Sequence, residues 1–236
     1  MSAGVVTVQS IMDAARYRAD MVGSPFVTDA ELLTYVTASQ QELYDLLVTT
    51  YGEDYYATTA STITTDGLTD LYSLPTDFYK LLGASLLVSS GTPAQYVTLK
   101  PFAFQERDTL GYPGVMLRGG GLRYRLKQDK LWLRPFPASG QTIQLWYVPR
   151  LTIPTAVTDT VDGVNGWEEY IITDCAIKML QKEESDCSLL MAQKAALVAR
   201  INAAAANRDA GMPTHVVDVR MGTGGPYGYG TGEPFP

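Results

Sequence analysis

The sequence predicts an α+β protein in which a helical bundle of about four helices carries an inserted, mostly antiparallel β-sandwich or barrel domain. Residues 1–56 and 164–212 repeat apolar residues every three or four positions, which is typical of helices that bury one face. Residues 57–150 are rich in Thr, Tyr, Val and Leu and are divided by Gly and Pro turns, which indicates short strands. Residues 151–163 form a Thr- and Asp-rich return linker, and residues 213–236 form an extended, Gly- and Pro-rich C-terminal arm.

The first half of the predicted bundle contains two helices. Residues 7–22 have apolar side chains at steps of three and four, so a first helix is predicted there. Thr28 and Glu31 then form a capping box, because a Thr side chain and a Glu three positions later can satisfy each other's free backbone N–H groups. The capping box begins a second helix over residues 29–51, which is roughly 35 Å long at 1.5 Å per residue.

The second half of the bundle is predicted to be a helical hairpin. Asn165 is a suitable N-cap for its first helix, and Ser185 with Asp186 interrupts the periodicity and can cap the next helix. Gly211 followed by Pro213 is a common helix stop. The apolar face of the first helix consists of residues spaced four apart: Trp167, Ile171, Cys175 and Met179.

The β segment is predicted to contain seven short strands. The turn Lys127-Gln128-Asp129 connects two of them as a hairpin. In residues 122–126 the alternation puts two arginines on one face and Leu, Tyr and Leu on the other. The predicted strands are Ser61–Thr65, Leu71–Leu74, Lys80–Ser89, Tyr96–Leu99, Leu122–Leu126, Lys130–Leu133 and Thr142–Val148.

Charge is distributed unevenly along the chain. The net charge is −7, which argues against a non-specific nucleic-acid-binding protein. Residues 1–80 carry eleven acidic and three basic residues, whereas residues 100–135 carry eight basic and three acidic residues. The two regions either meet between copies of the chain or form two solvated faces. The candidate inter-subunit or nucleic-acid-facing patch consists of Arg118, Arg123, Arg125, Lys127, Lys130 and Arg134.

No cofactor, metal site or catalytic centre is predicted. The single histidine, His215, lies in the arm, which gives no basis for a His-based metal site or a Ser-His-Asp triad. The glycine clusters lack the G-x-x-x-x-G-K-[ST] pattern that binds phosphate. The two cysteines are predicted to be reduced thiols. No apolar run approaches the ~20 residues of a membrane span, so no membrane partner is expected.

The arm is predicted to order only against a partner. Its last segment, residues 222–236, contains six glycines and three prolines, which deny it a core of its own. Fixing each backbone residue costs ~1–2 kcal/mol, so contacts with a partner must offset that cost. The candidate contacts are three valines suited to strand addition and three aromatic anchors: Val216, Val217, Val219, Tyr227, Tyr229 and Phe235.

Several short sequences, in their order and spacing, resemble the head-to-tail adaptor (connector or head-completion) proteins of tailed bacteriophages. They are Tyr72-Ser73-Leu74-Pro75-Thr76-Asp77-Phe78, Arg123-Tyr124-Arg125-Leu126, Pro135-Phe136-Pro137, Trp146-Tyr147-Val148-Pro149, Trp167-Glu168-Glu169-Tyr170 and Asn207-Arg208-Asp209. The resemblance implies a structural virion protein with no catalytic residues. It also implies a ring, usually twelve-fold, that docks below the portal, with the arm reaching into the portal and a double-stranded DNA channel through the middle.

The same resemblance implies a place at the head-tail junction of the virion, after assembly in the host cytoplasm, with a nozzle or stopper protein on the tail side. Two other classes of protein stay open. One is a hydrolase that acts on a polymer, either cell-wall glycan or nucleic acid, and uses the β segment as a binding module. The other is a different tail or baseplate component with similar helices.

Overall fold

The computed structural model describes residues 6–52, 55–111, 121–161, 164 and 166–206 of the chain. Within these residues it contains four α-helices and two mostly antiparallel sheets, which confirms the predicted α+β class. The elements in chain order are α1 (Val8–Arg18), α2 (Asp29–Thr50), β1 (Thr58–Thr64), β2 (Leu71–Ser73), β3 (Phe78–Ser89), β4 (Gln95–Thr98), β5 (Lys100–Pro101), β6 (Arg123–Lys127), β7 (Lys130–Arg134), β8 (Thr142–Pro149), α3 (Glu168–Lys182) and α4 (Ser188–Ala206). The arm, including all six of its candidate contacts, lies outside the described residues.

Local capping explains where the first two helices begin. The Thr7 hydroxyl oxygen accepts a hydrogen bond from the N–H of Ser10 at 3.2 Å, and α1 starts at the next residue after Thr7. The Thr28 hydroxyl likewise accepts from the N–H of Glu31 at 3.3 Å, as the capping box predicts. α1 ends at Arg18 rather than at Val22, because the chain turns through a left-handed residue, Asp20, with φ of 56°.

The hairpin of α3 and α4 differs from the prediction at its start. α3 begins at Glu168 with Trp167 in the cap position, and no side chain caps its first turn. The predicted cap, Asn165, lies outside the described residues. The carboxylate of Asp186 accepts from the N–H of Ser188 at 2.9 Å, so Asp186 supports the start of α4 as predicted. The described part of α4 ends at Ala206, before the predicted stop at Gly211.

The four helices enclose one apolar core. α2 and α3 pack against each other, and α1 and α4 each pack on both of them, so α1 and α4 flank the central pair. The return linker holds the N-terminus of α1, because the N–H of Val8 donates to the Asp159 carbonyl oxygen at 3.0 Å. Only Leu197 and Ile201 of α4 are buried. The largest fully buried side chains of this core are Ile11, Met12, Leu32, Leu43, Leu47, Tyr170, Ile171 and Met179.

The eight strands form a sandwich of two sheets. The first sheet has the order β1-β8-β3-β4 and is antiparallel throughout, and the second has the order β2-β7-β6-β5 with a parallel β5–β6 pair. The chain changes sheets at Leu99, whose N–H donates to the Ala84 carbonyl oxygen at 2.8 Å just before β5 begins. The residues buried between the sheets include Ala84, Leu131, Leu133, Ile143 and Leu145.

Helix α2 also contacts the sandwich, through residues that do not belong to the helical core. Tyr44 and Val48 pack against Val148 and Leu151 at the end of β8. The Tyr44 hydroxyl donates to the Pro149 carbonyl oxygen at 2.7 Å. Among the described residues, each strand of the two sheets pairs with another strand. One isolated bridge joins two positions outside the strands, Thr7 and Thr160. The domain boundaries derived from the sequence stay a prediction.

Candidate functional site

The predicted basic patch lies on one face of the β6–β7 hairpin. Three cross-strand pairs place its members together: Arg123 opposite Arg134, Arg125 opposite Trp132, and Lys127 opposite Lys130. Successive side chains of a strand alternate between faces, so these residues face away from the sandwich core that holds Leu131 and Leu133. Five of the six predicted patch residues therefore share one surface. The sixth, Arg118, lies outside the described residues.

Trp132 is the centre of this surface and is 7% exposed. The segment that follows β5 lies across it, and the ring of Phe102 meets the Trp132 ring edge-on with centroids 5.4 Å apart. Leu110 from the same segment and Leu71 from β2 complete a small apolar cluster. This cluster was not predicted from the sequence, because it depends on a loop about thirty residues earlier in the chain folding back over β7.

Three cations of the patch lie over aromatic rings, two over Trp132 and one over Phe104. The Nζ of Lys127 lies 5.0 Å and the Cζ of Arg134 lies 5.1 Å from the centroid of Trp132. The Cζ of Arg125 lies 5.7 Å from the centroid of Phe104. Each cation–π contact at a partly exposed position contributes about 0.5–1 kcal/mol, so the cations help to hold the aromatic cluster in place.

The arginines also have partners within the chain. Asp70 accepts from Trp132 Nε1 at 2.9 Å and pairs with Arg134 at 3.0 Å. Arg125 donates to the Phe102 carbonyl oxygen at 3.2 Å. Arg123 is 3.8 Å from the carboxylate of Glu106. The patch is consequently an aromatic and cationic cluster with much of its arginine charge offset locally. Lys127 and Lys130, at the exposed end of the hairpin, extend its charge toward solvent.

Three further acidic residues of the first eighty positions have basic partners inside the chain. Arg16 pairs with Asp29 at 2.8 Å, Lys182 with Glu31 at 2.6 Å, and Lys194 with Glu42 at 2.8 Å. Part of the negative charge of the first eighty residues is therefore offset by Lys182 and Lys194 of the second half of the bundle. The prediction that acidic and basic regions meet between copies stays a prediction.

A buried polar network connects three helices, and the sequence analysis missed it. The carboxylate of Asp174 in α3 is 5% exposed and contacts Lys178 at 2.6 Å and Lys194 of α4 at 2.8 Å. The hydroxyl of Ser39 in α2 donates to the same carboxylate at 2.5 Å. Buried charge is stabilised only when it is paired and hydrogen-bonded, which is the case here. One feature of the sequence indicates this network. Asp174 and Lys178 are spaced four apart, and Asp174 is next to Cys175 of the predicted apolar face.

The network shifts the pKa values of its members. Burial disfavours the charged form of Asp174, but the hydrogen bonds from Lys178, Lys194 and Ser39 outweigh burial and lower the pKa of the carboxyl group. Burial also opposes the charge of Lys194, yet its bonds with Asp174 and Glu42 raise the pKa of the ammonium group. The pair is thus charged at neutral pH. Because Asp174 is 5% exposed, the pair joins α3 to α4 inside the helical bundle.

The remaining chemistry-bearing side chains of the described residues form no metal site. No group of three His, Cys, Asp or Glu side chains is placed to hold a metal ion in the part of the chain that the structure describes. Cys175 is buried, Cys187 is half-buried, and both are free thiols. Among the described helices, none is long and apolar enough to cross a membrane.

Comparison with protein families gives a match that extends over nearly the whole fold. The family model of the SU10 adaptor protein matches residues 6–218, which includes all four helices and both sheets. Comparison with curated proteins gave no match. The match confirms the resemblance to phage head-to-tail adaptors that the short sequences indicated. The chain belongs to the SU10 adaptor protein family, a family of structural phage proteins.

Proposed function

We propose that this protein is a head-to-tail adaptor that forms a ring below the portal, joins the capsid vertex to the tail and lines the DNA channel. The observation that carries the proposal is the family match over residues 6–218, which spans every described helix and strand. The ring is proposed to be twelve-fold and to bind a nozzle or stopper protein on its lower side. The protein acts in the virion after assembly in the host cytoplasm.

The portal contact is assigned to the arm, residues 213–236. Val216, Val217 and Val219 suit strand addition to an exposed sheet edge of the portal, where backbone hydrogen bonds supply affinity. The aromatic anchors Tyr227, Tyr229 and Phe235 are proposed to fill apolar pockets, since aromatic side chains bury a large area at a small cost in side-chain entropy. The glycines between them let the backbone approach the partner closely.

The test is capture of purified portal rings by three forms of the full protein. The wild type is compared with a deletion of residues 213–236 and with a variant in which Tyr227, Tyr229 and Phe235 are all Ser. Circular dichroism verifies that each form is folded. We expect the deletion to abolish capture and the triple variant to weaken it at least about tenfold, as loss of central aromatic anchors does. Equal capture by all three folded forms would overturn this assignment of the arm.

Contact with DNA in the channel is proposed to be loose and independent of sequence. A conduit must let a highly charged polymer slide, and the net charge of −7 repels it except near exposed cations. Lys127 and Lys130 are the proposed contacts, because the arginines of the patch have partners within the chain. Neutralising both lysines as Gln should reduce the salt dependence of DNA binding to assembled rings, measured by fluorescence anisotropy. An unchanged salt dependence, or selective binding of one short duplex, would contradict the proposal.

A further inference from the structure

The outward face of α4 is exposed and carries no charge along its length. The residues opposite the buried Leu197 and Ile201 are Ala192, Ala195, Ala196, Ala199 and Ala203, all exposed. At the start of the same helix, Leu189 is 70% exposed and Met191 is 47% exposed. A solvated face of a helix normally carries charged side chains. The axes of packed helices are usually about 8–10 Å apart, and a face of alanines allows the shorter distance.

The outward face of α1 has a complementary character. Tyr17 is 71% exposed, one helical turn from the exposed Asp13 and three residues from the exposed Asp20. An aromatic side chain with this exposure can bury a large apolar area on a partner. The two aspartates give the rim of this face a negative charge.

Charge and position together favour a second copy of the chain as the partner of α4. The exposed cation on α4 is Arg200, which lies over the Trp167 ring at 5.7 Å, whereas Lys194 belongs to the buried network. Arg200 is therefore opposite in charge to Asp13 and Asp20 at the rim of the α1 face. Because α1 and α4 flank the α2–α3 pair, one copy presents the two faces on different sides. Two different faces that bind each other make a head-to-tail contact, which closes into a ring when the rotation allows it.

We propose that the outward face of α1 in one copy packs on the alanine face of α4 in the next copy. Tyr17 lies on the alanines, and Asp13 and Asp20 approach Arg200. This inference rests on the proposed ring and specifies the surfaces that form it. The ring contact is apolar at its centre, and charges at its rim select the correct partner face.

The test introduces charge on the alanine face and measures assembly by sedimentation velocity and native mass spectrometry, with and without portal rings. Ala199→Glu should remove assembly, since a buried unpaired carboxylate opposes association. Tyr17→Ala should raise the protomer concentration needed for assembly by about tenfold or more. Ala38→Glu, on an exposed position of α2, is the matched control and should assemble as the wild type does. Circular dichroism and urea unfolding show that each variant is folded.

A charge exchange adds a test of partner choice. Arg200→Asp should weaken assembly, and combining it with Asp13→Arg and Asp20→Arg should restore assembly, because the rim charges are then opposite again. A folded Ala199→Glu protein that still forms rings would overturn the inference. Loss of portal capture with intact rings would overturn it too, because the portal would then cover α4. A wild type that forms no rings, even on portal, would instead contradict the proposed function.

Discussion

Replacing Asp174 with Asn removes the carboxylate that Lys178 and Lys194 both contact, while it keeps the size of the side chain. Three hydrogen bonds to the charged carboxylate, from Lys178, Lys194 and Ser39, are lost or reduced to bonds with a neutral amide. A hydrogen bond to a charged group contributes about 1.5–3 kcal/mol, and the amide keeps one acceptor oxygen. Lys178 and Lys194 are 27% and 22% exposed, so water can partly solvate them after the substitution.

We therefore expect Asp174→Asn to lower the free energy of unfolding by about 3 kcal/mol, the low end of the ~3–5 kcal/mol measured when a buried ion pair loses one partner. With a urea dependence of about 3 kcal/mol per molar, the unfolding midpoint should fall by about 1 M. The assay is urea unfolding at pH 7 followed by circular dichroism, at one protomer concentration for all variants. Asp129→Asn, at an exposed position in the turn between β6 and β7, is the control and should change stability by less than about 0.5 kcal/mol.

The difference between wild type and Asp174→Asn should depend on pH in one direction. The folded-state pKa of Asp174 is lowered below 3.8, so its stabilisation is complete above that value and is lost as pH falls through the folded-state pKa. The two proteins should become more similar in stability below about pH 4. A difference smaller than about 0.5 kcal/mol at pH 7, or one that does not change on acidification, would refute the assignment of a stabilising network.

Two further substitutions test the other contacts of the fold. Trp132→Ala should cost about 3–5 kcal/mol of stability and increase hydrogen exchange across the segment that follows β5, whereas Trp146→Ala, at a 44% exposed position, should cost less than about 1 kcal/mol. Tyr44→Phe removes the hydrogen bond to the Pro149 carbonyl oxygen and should cost about 1 kcal/mol by urea unfolding, whereas Tyr96→Phe, at a 43% exposed position, should be neutral within about 0.5 kcal/mol.

Local signals in the sequence predicted the elements that local interactions determine. α2 begins at the predicted residue because Thr28 caps it, and the hairpin of β6 and β7 turns at Gln128 and Asp129 as predicted. The network of Asp174 was not predicted, since its partners Ser39 and Lys194 come from helices that periodicity alone cannot dock. Likewise, alternation placed Arg123 and Arg125 on one face, but it could not identify Glu106 or the Phe102 carbonyl oxygen as their partners.

The internal partners of the charged residues also bear on how copies of the chain assemble. If Arg134 of the basic region met an acidic residue of another copy, it would have to exchange its present partner Asp70, with little net gain in free energy. Packing of α1 on α4 needs no such exchange, because the alanine face is uncharged and Arg200 contacts a ring rather than a carboxylate. A salt series separates the two cases, because ions screen exposed charges over ~8–10 Å. Assembly that persists from 0.1 M to 1 M salt favours the apolar contact, whereas dissociation over that range would show that charge pairing between copies holds the ring.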